Sequence, residues 1–122
     1  MILVDTSVWV DHLRRGNDSL QAALEAAIVL THPFVIGELA LGRIRNRDEI
    51  LHLLGQLSTA LEASHREALE LIERRSLEGR GIGYVDLCLL ASAALSGVPL
   101  WTRDRRLAAV ARELDLAYNG ST

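Results

Sequence analysis

Residues 1–10 read MILVDTSVWV. Ile2, Leu3 and Val4 form an unbroken apolar run that ends on Asp5, with two hydroxyls, Thr6 and Ser7, directly after it. A short continuous apolar run is the pattern of a fully buried strand. Asp is depleted from strands and costly to bury without a partner. Asp5 therefore has two readings. It can cap the helix carrying Val8, Trp9 and Leu13 by accepting backbone N–H bonds, or it can be a ligand that the strand delivers.

The same alternation runs down the chain. Leu20, Ala23, Leu24 and Ala27 fit a helical face, with Asn17 or Asp18 as its cap, and Ile28–Thr31 follows as a buried strand. Pro33 suits the first turn of a helix running through Ile36, Glu38, Leu39 and Leu41. Ile50, Leu53, Leu54 and Leu57 repeat the template after Asp48, and a third strand is expected around Thr59–Ala63. A capping box from Ser64 to Glu67 starts a long helix expected to end near Gly79. Asp86 is expected to open a helix with Leu87, Leu90, Ala91, Ala94 and Leu95 inward, closed by Gly97. Val98–Trp101 then reads as a strand, Asp104 as the start of a helix through Leu107, Val110, Ala111 and Leu114, and Leu116–Tyr118 as an edge strand. Continuous apolar strands separated by helices define an α/β fold, a three-layer α/β/α sandwich around a central parallel sheet.

At 122 residues the chain is expected to form a single domain, 1–122, burying about two-thirds of its unfolded surface. The acid at position 5 does not fit a signal peptide. The most apolar stretch, LCLLASAALSGVPLW, is interrupted by Ser92, Ser96, Gly97 and Pro99 and is too short to span a bilayer. The lone Cys88 cannot form an internal disulfide, which suits a reducing cytoplasm, and its leucine neighbours mark it as a buried small residue. All thirteen basic residues are Arg. The absence of Lys excludes a P-loop NTPase and a Schiff-base enzyme. His12, His32, His52 and His65 show no metal-ligand spacing and read mostly as surface residues.

Open parallel sheets place their sites at the carboxyl ends of the strands. Asp5 and Asp104 fall on that rim, Asp86 follows the turn GRGIGYV, and Glu38 lies on an apolar helix entered from the second strand. Each alone can be a helix cap or a solvated acid. Together they would repel: two carboxylates about 4 Å apart cost about 4 kcal/mol at an effective dielectric of about 20. Either some protonate or a divalent cation neutralises them, and all-oxygen donors select Mg²⁺ or Mn²⁺ over Zn²⁺.

DTS, VIGEL, GRGIGYVDLCLLASA and WTRD, in this order and spacing, resemble the PIN-domain ribonucleases, specifically the VapC-type toxins of bacterial toxin–antitoxin pairs. The resemblance runs from Ile2 to about Tyr118. It implies an acidic tetrad of Asp5, Glu38, Asp86 and Asp104, acting as metal ligands and catalytic groups with supporting hydroxyls at Ser7 and Thr102. It further implies a Mg²⁺- or Mn²⁺-dependent endoribonuclease, a cognate VapB-type antitoxin and a homodimer. Many relatives carry another acid or Asn soon after the TRD aspartate, where this chain has Arg105, Arg106 and Leu107.

The net charge of −3 becomes +1 once the four acids are set aside, so the remaining surface is not acidic. Arg43, Arg45 and Arg47 form one basic cluster, while Arg103, Arg105 and Arg106 flank the proposed site. These are candidates for phosphate contacts that position RNA without reading its sequence. The alternative is a catalytically weak PIN-like module that binds protein or RNA. A receiver- or haloacid-type phosphatase would need a DxD motif or a partner Lys, and the chain has neither at Asp5-Thr6-Ser7.

Overall fold

The computed structural model describes residues 1–119; the last three residues of the expected single domain lie outside the described residues. The chain begins with β1 (Ile2–Val4), α1 (Thr6–Arg15), α2 (Asp18–Glu25), β2 (Val29–Thr31) and α3 (Pro33–Leu41). It continues through α4 (Arg47–Gln56), β3 (Ser58–Thr59), α5 (His65–Arg75), α6 (Tyr84–Ser96), β4 (Leu100–Trp101) and α7 (Arg105–Glu113). The sheet is parallel throughout, in the order β3-β2-β1-β4. With that order, the right-handed crossover rule calls for α1–α4 on one face and α5–α6 on the other. The packing of α1 on α3, α3 on α4 and α5 on α6 agrees with this arrangement. The expected α/β/α sandwich is therefore present.

Strand order is what positions the site. The chain steps outward from β1 to β2 to β3, then returns across the sheet to lay β4 on the other side of β1. The reversal makes the gap between the carboxyl ends of β1 and β4 a topological switch point, where open α/β sheets bind ligands. Register follows from burial: Leu3 pairs with both Leu30 and Leu100, and Val4 with Trp101, all in the core. The expected edge strand at Leu116–Tyr118 is reduced to one bridge, Ala117 to Leu100.

Several boundaries differ from the sequence reading for local reasons. Asn17, rather than Asp18, caps α2, accepting the Leu20 N–H at 2.9 Å. The third strand stops at Thr59; the Ala60 N–H still donates to the Thr31 carbonyl at 2.9 Å, and beyond it the chain turns onto α6, Leu61 donating to Ser96 Oγ and Ala63 to Ser92 Oγ. The capping box of Ser64 and Glu67 is present. α5 nonetheless ends at Arg75, where Ser76 turns left-handed (φ 53°), short of Gly79. Gly97 does close α6 in the left-handed region, at φ 66°. On α6, Ala94 and Leu95 face solvent, while Cys88, Leu89, Ser92 and Ala93 are buried; Leu53 on α4 is likewise exposed. Among the described residues no helix is long and apolar enough to cross a membrane.

His32 corrects the surface reading of the histidines, being 2% exposed. It caps α3, its Nδ1 accepting the Phe34 N–H at 3.0 Å, so its ring proton sits on Nε2 and is donated to Ser92 Oγ 3.1 Å away. Burial lowers its pKa below the ordinary 6.5, opposed by the charge of Glu62. The unfolded chain thus binds this proton more readily, and stability held above pH 6.5 is lost as pH falls through the folded value. Urea midpoints measured downward from pH 7.5 should fall more steeply for the wild type than for His32→Asn, which keeps a capping acceptor without a titrating ring. Equal slopes would remove His32 from the account. His32→Ala should cost about 1 kcal/mol through the lost cap alone.

Candidate active site

Asp5 both ends β1 and caps α1. Its backbone N–H donates to the Trp101 carbonyl at 2.9 Å, carrying the β1–β4 pairing one residue past the strand. The side chain is 5% exposed. Its Oδ2 accepts from Ser7 Oγ at 2.6 Å, from Thr102 Oγ1 at 2.8 Å and, at a long 3.4 Å, from the Ser7 N–H. Each hydroxyl has one proton and gives it to Asp5, so the 3.3 Å between Ser7 Oγ and Thr102 Oγ1 is a contact without a bridging proton. Both hydroxyls accept in turn, Ser7 from the Arg103 N–H (2.9 Å) and Thr102 from the Asp104 N–H (3.1 Å). None of these bonds uses Oδ1 of Asp5.

The other three acids arrive on separate helices. Asp104 caps α7, its Oδ1 accepting the Leu107 N–H at 2.9 Å. Glu38, exposed on α3, accepts from Thr6 Oγ1 at 2.6 Å. Thr6 was not among the expected site residues; the signal for it was its place between Asp5 and Ser7. Asp86 does not open α6 as expected. Gly83 is the cap, because the loop's glycine supplies an extended residue without a side chain, and Asp86 falls in the helix's first turn.

Asp86 shows that the four acids share one field. Burial raises its pKa above the ordinary 3.8, and the charge of Asp5 raises it further. A hydrogen bond from the Gly83 backbone opposes the rise, and Asp104 and Glu38 add smaller contributions upward. Among the described residues no three acids, histidines or cysteines close into a metal-ligating group. The donors fit a divalent cation in kind: they are carboxylate oxygens, suited to a hard ion, and a cation would relieve the repulsion felt at Asp86.

The arginines divide into engaged and open side chains. Arg103 reaches Asp11 at 3.6 Å, and Arg47 donates to the Ala40 carbonyl at 2.9 and 3.2 Å, closing the end of α3. Arg106 lies across Gly81, where any Cβ would come within 2.9 Å of its guanidinium and where φ is +79°. This packing braces the loop that leads to Asp86. Arg105 is exposed, and Arg43 and Arg45 line a groove that Glu38 also lines.

A parallel α/β sheet with four acids around its switch point is the arrangement of a PIN domain. The PIN domain family matches residues 2–113, and the chain belongs to that family. It is similar to Ribonuclease VapC32 from two strains of Mycobacterium tuberculosis, CDC 1551 / Oshkosh and ATCC 25618 / H37Rv. Each is 50% identical over 118 residues, covering 96% of this chain and 95% of the relative. The VapC-type resemblance read from the sequence stands. Among solved structures, the crystal structure of PAE2754 from Pyrobaculum aerophilum shares the fold, with a TM-score of 0.61 at 20% identity over 88% of this chain and 77% of that one.

The shared field sets an expectation for the metal-free protein. In EDTA at neutral pH, Asp86→Asn should raise the melting temperature by a few degrees, since Asn keeps the acceptor for Gly83 and removes one charge. Adding Mn²⁺ should stabilise the wild type more than the variant. A variant that melts lower in EDTA, and that gains as much from Mn²⁺, would count against the acids acting as one site.

Proposed function

We propose that this chain is the toxin of a toxin–antitoxin pair, a single-domain endoribonuclease that cleaves RNA phosphodiester bonds with Mg²⁺ or Mn²⁺. The observation that carries the reading is the half-buried Asp86, its proton affinity raised first by burial and then by the charges of Asp5, Asp104 and Glu38. Likeness to proteins named Ribonuclease VapC32 supports the activity. Asp5, Asp86, Glu38 and Asp104 would hold the cation. When bound, it would supply a polarised scissile phosphate and a water of lowered pKa.

The remaining work belongs to the chain's own residues. Ser7 and Thr102 fix the rotamer of Asp5, so that Oδ1 keeps one direction whether or not a ligand is present. Thr6 does the same for Glu38 and leaves Oε2 to orient a water or complete a second site. Asp104 keeps Oδ2 beside its capping oxygen for the same use. Arg105, with Arg43 and Arg45, is proposed to hold RNA phosphates. Arg47, Arg103 and Arg106 would do so only by leaving their present partners. A VapB-type antitoxin and a homodimer complete the proposal. Exposed Phe34, Leu41 and Leu61, the second of them 90% exposed, provide apolar surface for such contacts.

Asp5→Asn should lower divalent-dependent cleavage of single-stranded RNA by about two to three orders of magnitude while leaving the circular dichroism spectrum unchanged. Thr102→Val, which removes one donor to Asp5, should cost about 10- to 100-fold. Full activity in Asp5→Asn, or undiminished cleavage in excess EDTA, would defeat the metal mechanism. RNA binding without cleavage by the wild type would instead favour the binding-module reading.

A further inference from the structure

Beside the acidic centre lies a groove of about 430 Å³. One wall is α1, which presents Val10, Leu13 and Arg14 at helical spacing; the other carries Glu38 from α3, with Arg43 and Arg45 from the turn into α4. Among the described residues none of these three arginines has a carboxylate partner or a side-chain hydrogen bond. Most of the chain's other arginines do: Arg15, Arg47, Arg66, Arg74, Arg80 and Arg103 are all ion-paired. Three guanidinium groups thus share one groove with a single carboxylate, one oxygen of which accepts from Thr6. Uncompensated guanidinium groups lining a concave surface call for an anionic ligand, and their planar donor forks match phosphate oxygens.

We infer that this groove is the exit path of the RNA strand, with Arg14, Arg43 and Arg45 holding successive phosphates on one side of the cut. The inference rests on the ribonuclease reading above and adds to it a direction and a residue, Arg14. Glu38 belongs to both the acidic centre and the groove, so a strand whose scissile phosphate lies at the acids continues directly into it. The apolar Val10 and Leu13 offer the sugar and base faces a dry surface between charges. Arg47, although next in sequence, takes no part, because its guanidinium closes α3 on the Ala40 carbonyl. The groove holds the strand by its backbone, so its contribution is to affinity and register rather than to sequence choice.

The test is a binding series with a short single-stranded RNA of mixed sequence on the full chain carrying Asp5→Asn, across a range of salt. Arg14→Gln, Arg43→Gln and Arg45→Gln should each flatten the dependence of log affinity on log salt by about 0.7. Arg112→Gln, an exposed control on α7, should leave it unchanged. Shortening the RNA from one end, and only that end, should abolish the sensitivity to all three substitutions. Unchanged slopes in all three variants, with RNA still bound by them and still cleaved by the wild type, would overturn the path and leave the ribonuclease reading intact. Absence of both RNA cleavage and RNA binding in the wild type would overturn the two together. If the three variants lose affinity for an acidic peptide but none for RNA, the groove belongs to a protein partner and the inference fails.

Discussion

The structure turns on one oxygen. Oδ2 of Asp5 gathers the hydroxyl protons of Ser7 and Thr102, so that the segment leaving β1 and the segment leaving β4 are joined at the switch point of the sheet. The joint extends outward, because Ser7 and Thr102 accept the backbone N–H groups of Arg103 and Asp104 and thereby set the start of α7. A buried carboxylate is tolerable when it is this well supplied with donors. Replacing either hydroxyl by a methyl would leave Asp5 short of a donor and also strand a backbone N–H. The cost of such a change would therefore exceed that of a single hydrogen bond.

This joint explains why four acids can be assembled at all. Asp5 and Asp104 are helix caps and Asp86 lies in a first turn, so three helix N-termini converge on the same rim. Each favours a negative charge by about 0.3–1 kcal/mol. A single pair of carboxylates brought to about 4 Å would cost about 4 kcal/mol at intermediate dielectric. The dipoles alone therefore cannot hold all four acids charged and close together. Asp86, half removed from water and facing the charge of Asp5, takes up the imbalance as a raised proton affinity.

Much of this was legible in the sequence, because the decisive signals are local. The apolar run into Asp5, the proline opening α3, the capping box at Ser64 and the left-handed Gly97 each act within a few residues, and each was found where expected. The misreadings are tertiary. Nothing near Thr59 reveals that Ser92 and Ser96, a helix away, anchor the N–H groups of Leu61 and Ala63 and draw the chain onto α6. His32 looked like a surface residue because the partner of its buried Nε2–H is the same distant Ser92. The return of β4 to the far side of β1 is likewise a property of the whole chain, and no stretch of it encodes that order. Of the residues gathered at the candidate site and its groove, the sequence reading named all four acids but neither Thr6 nor Arg14. Their places depend on which side chain lies across from them, on α3 and its following turn.

The opening choice between cap and ligand for Asp5 was a false one. A carboxylate has two oxygens, and a helix N-terminus needs only one acceptor. Asp5 gives Oδ2 to the cap and the hydroxyls, Asp104 gives Oδ1 to Leu107, and each keeps its second oxygen. Capping fixes the rotamer, and a fixed rotamer aims the remaining oxygen without further entropy loss when a ligand binds. Strand ends that lead straight into helices therefore favour Asp over Glu, because only the shorter side chain reaches its own backbone two or three residues on. Glu38, which sits within a helix and caps nothing, is the exception that follows the same logic: its longer arm needs an outside clamp, and Thr6 provides it. The residue type at each corner of the site is set by what fixes it, before any substrate is considered.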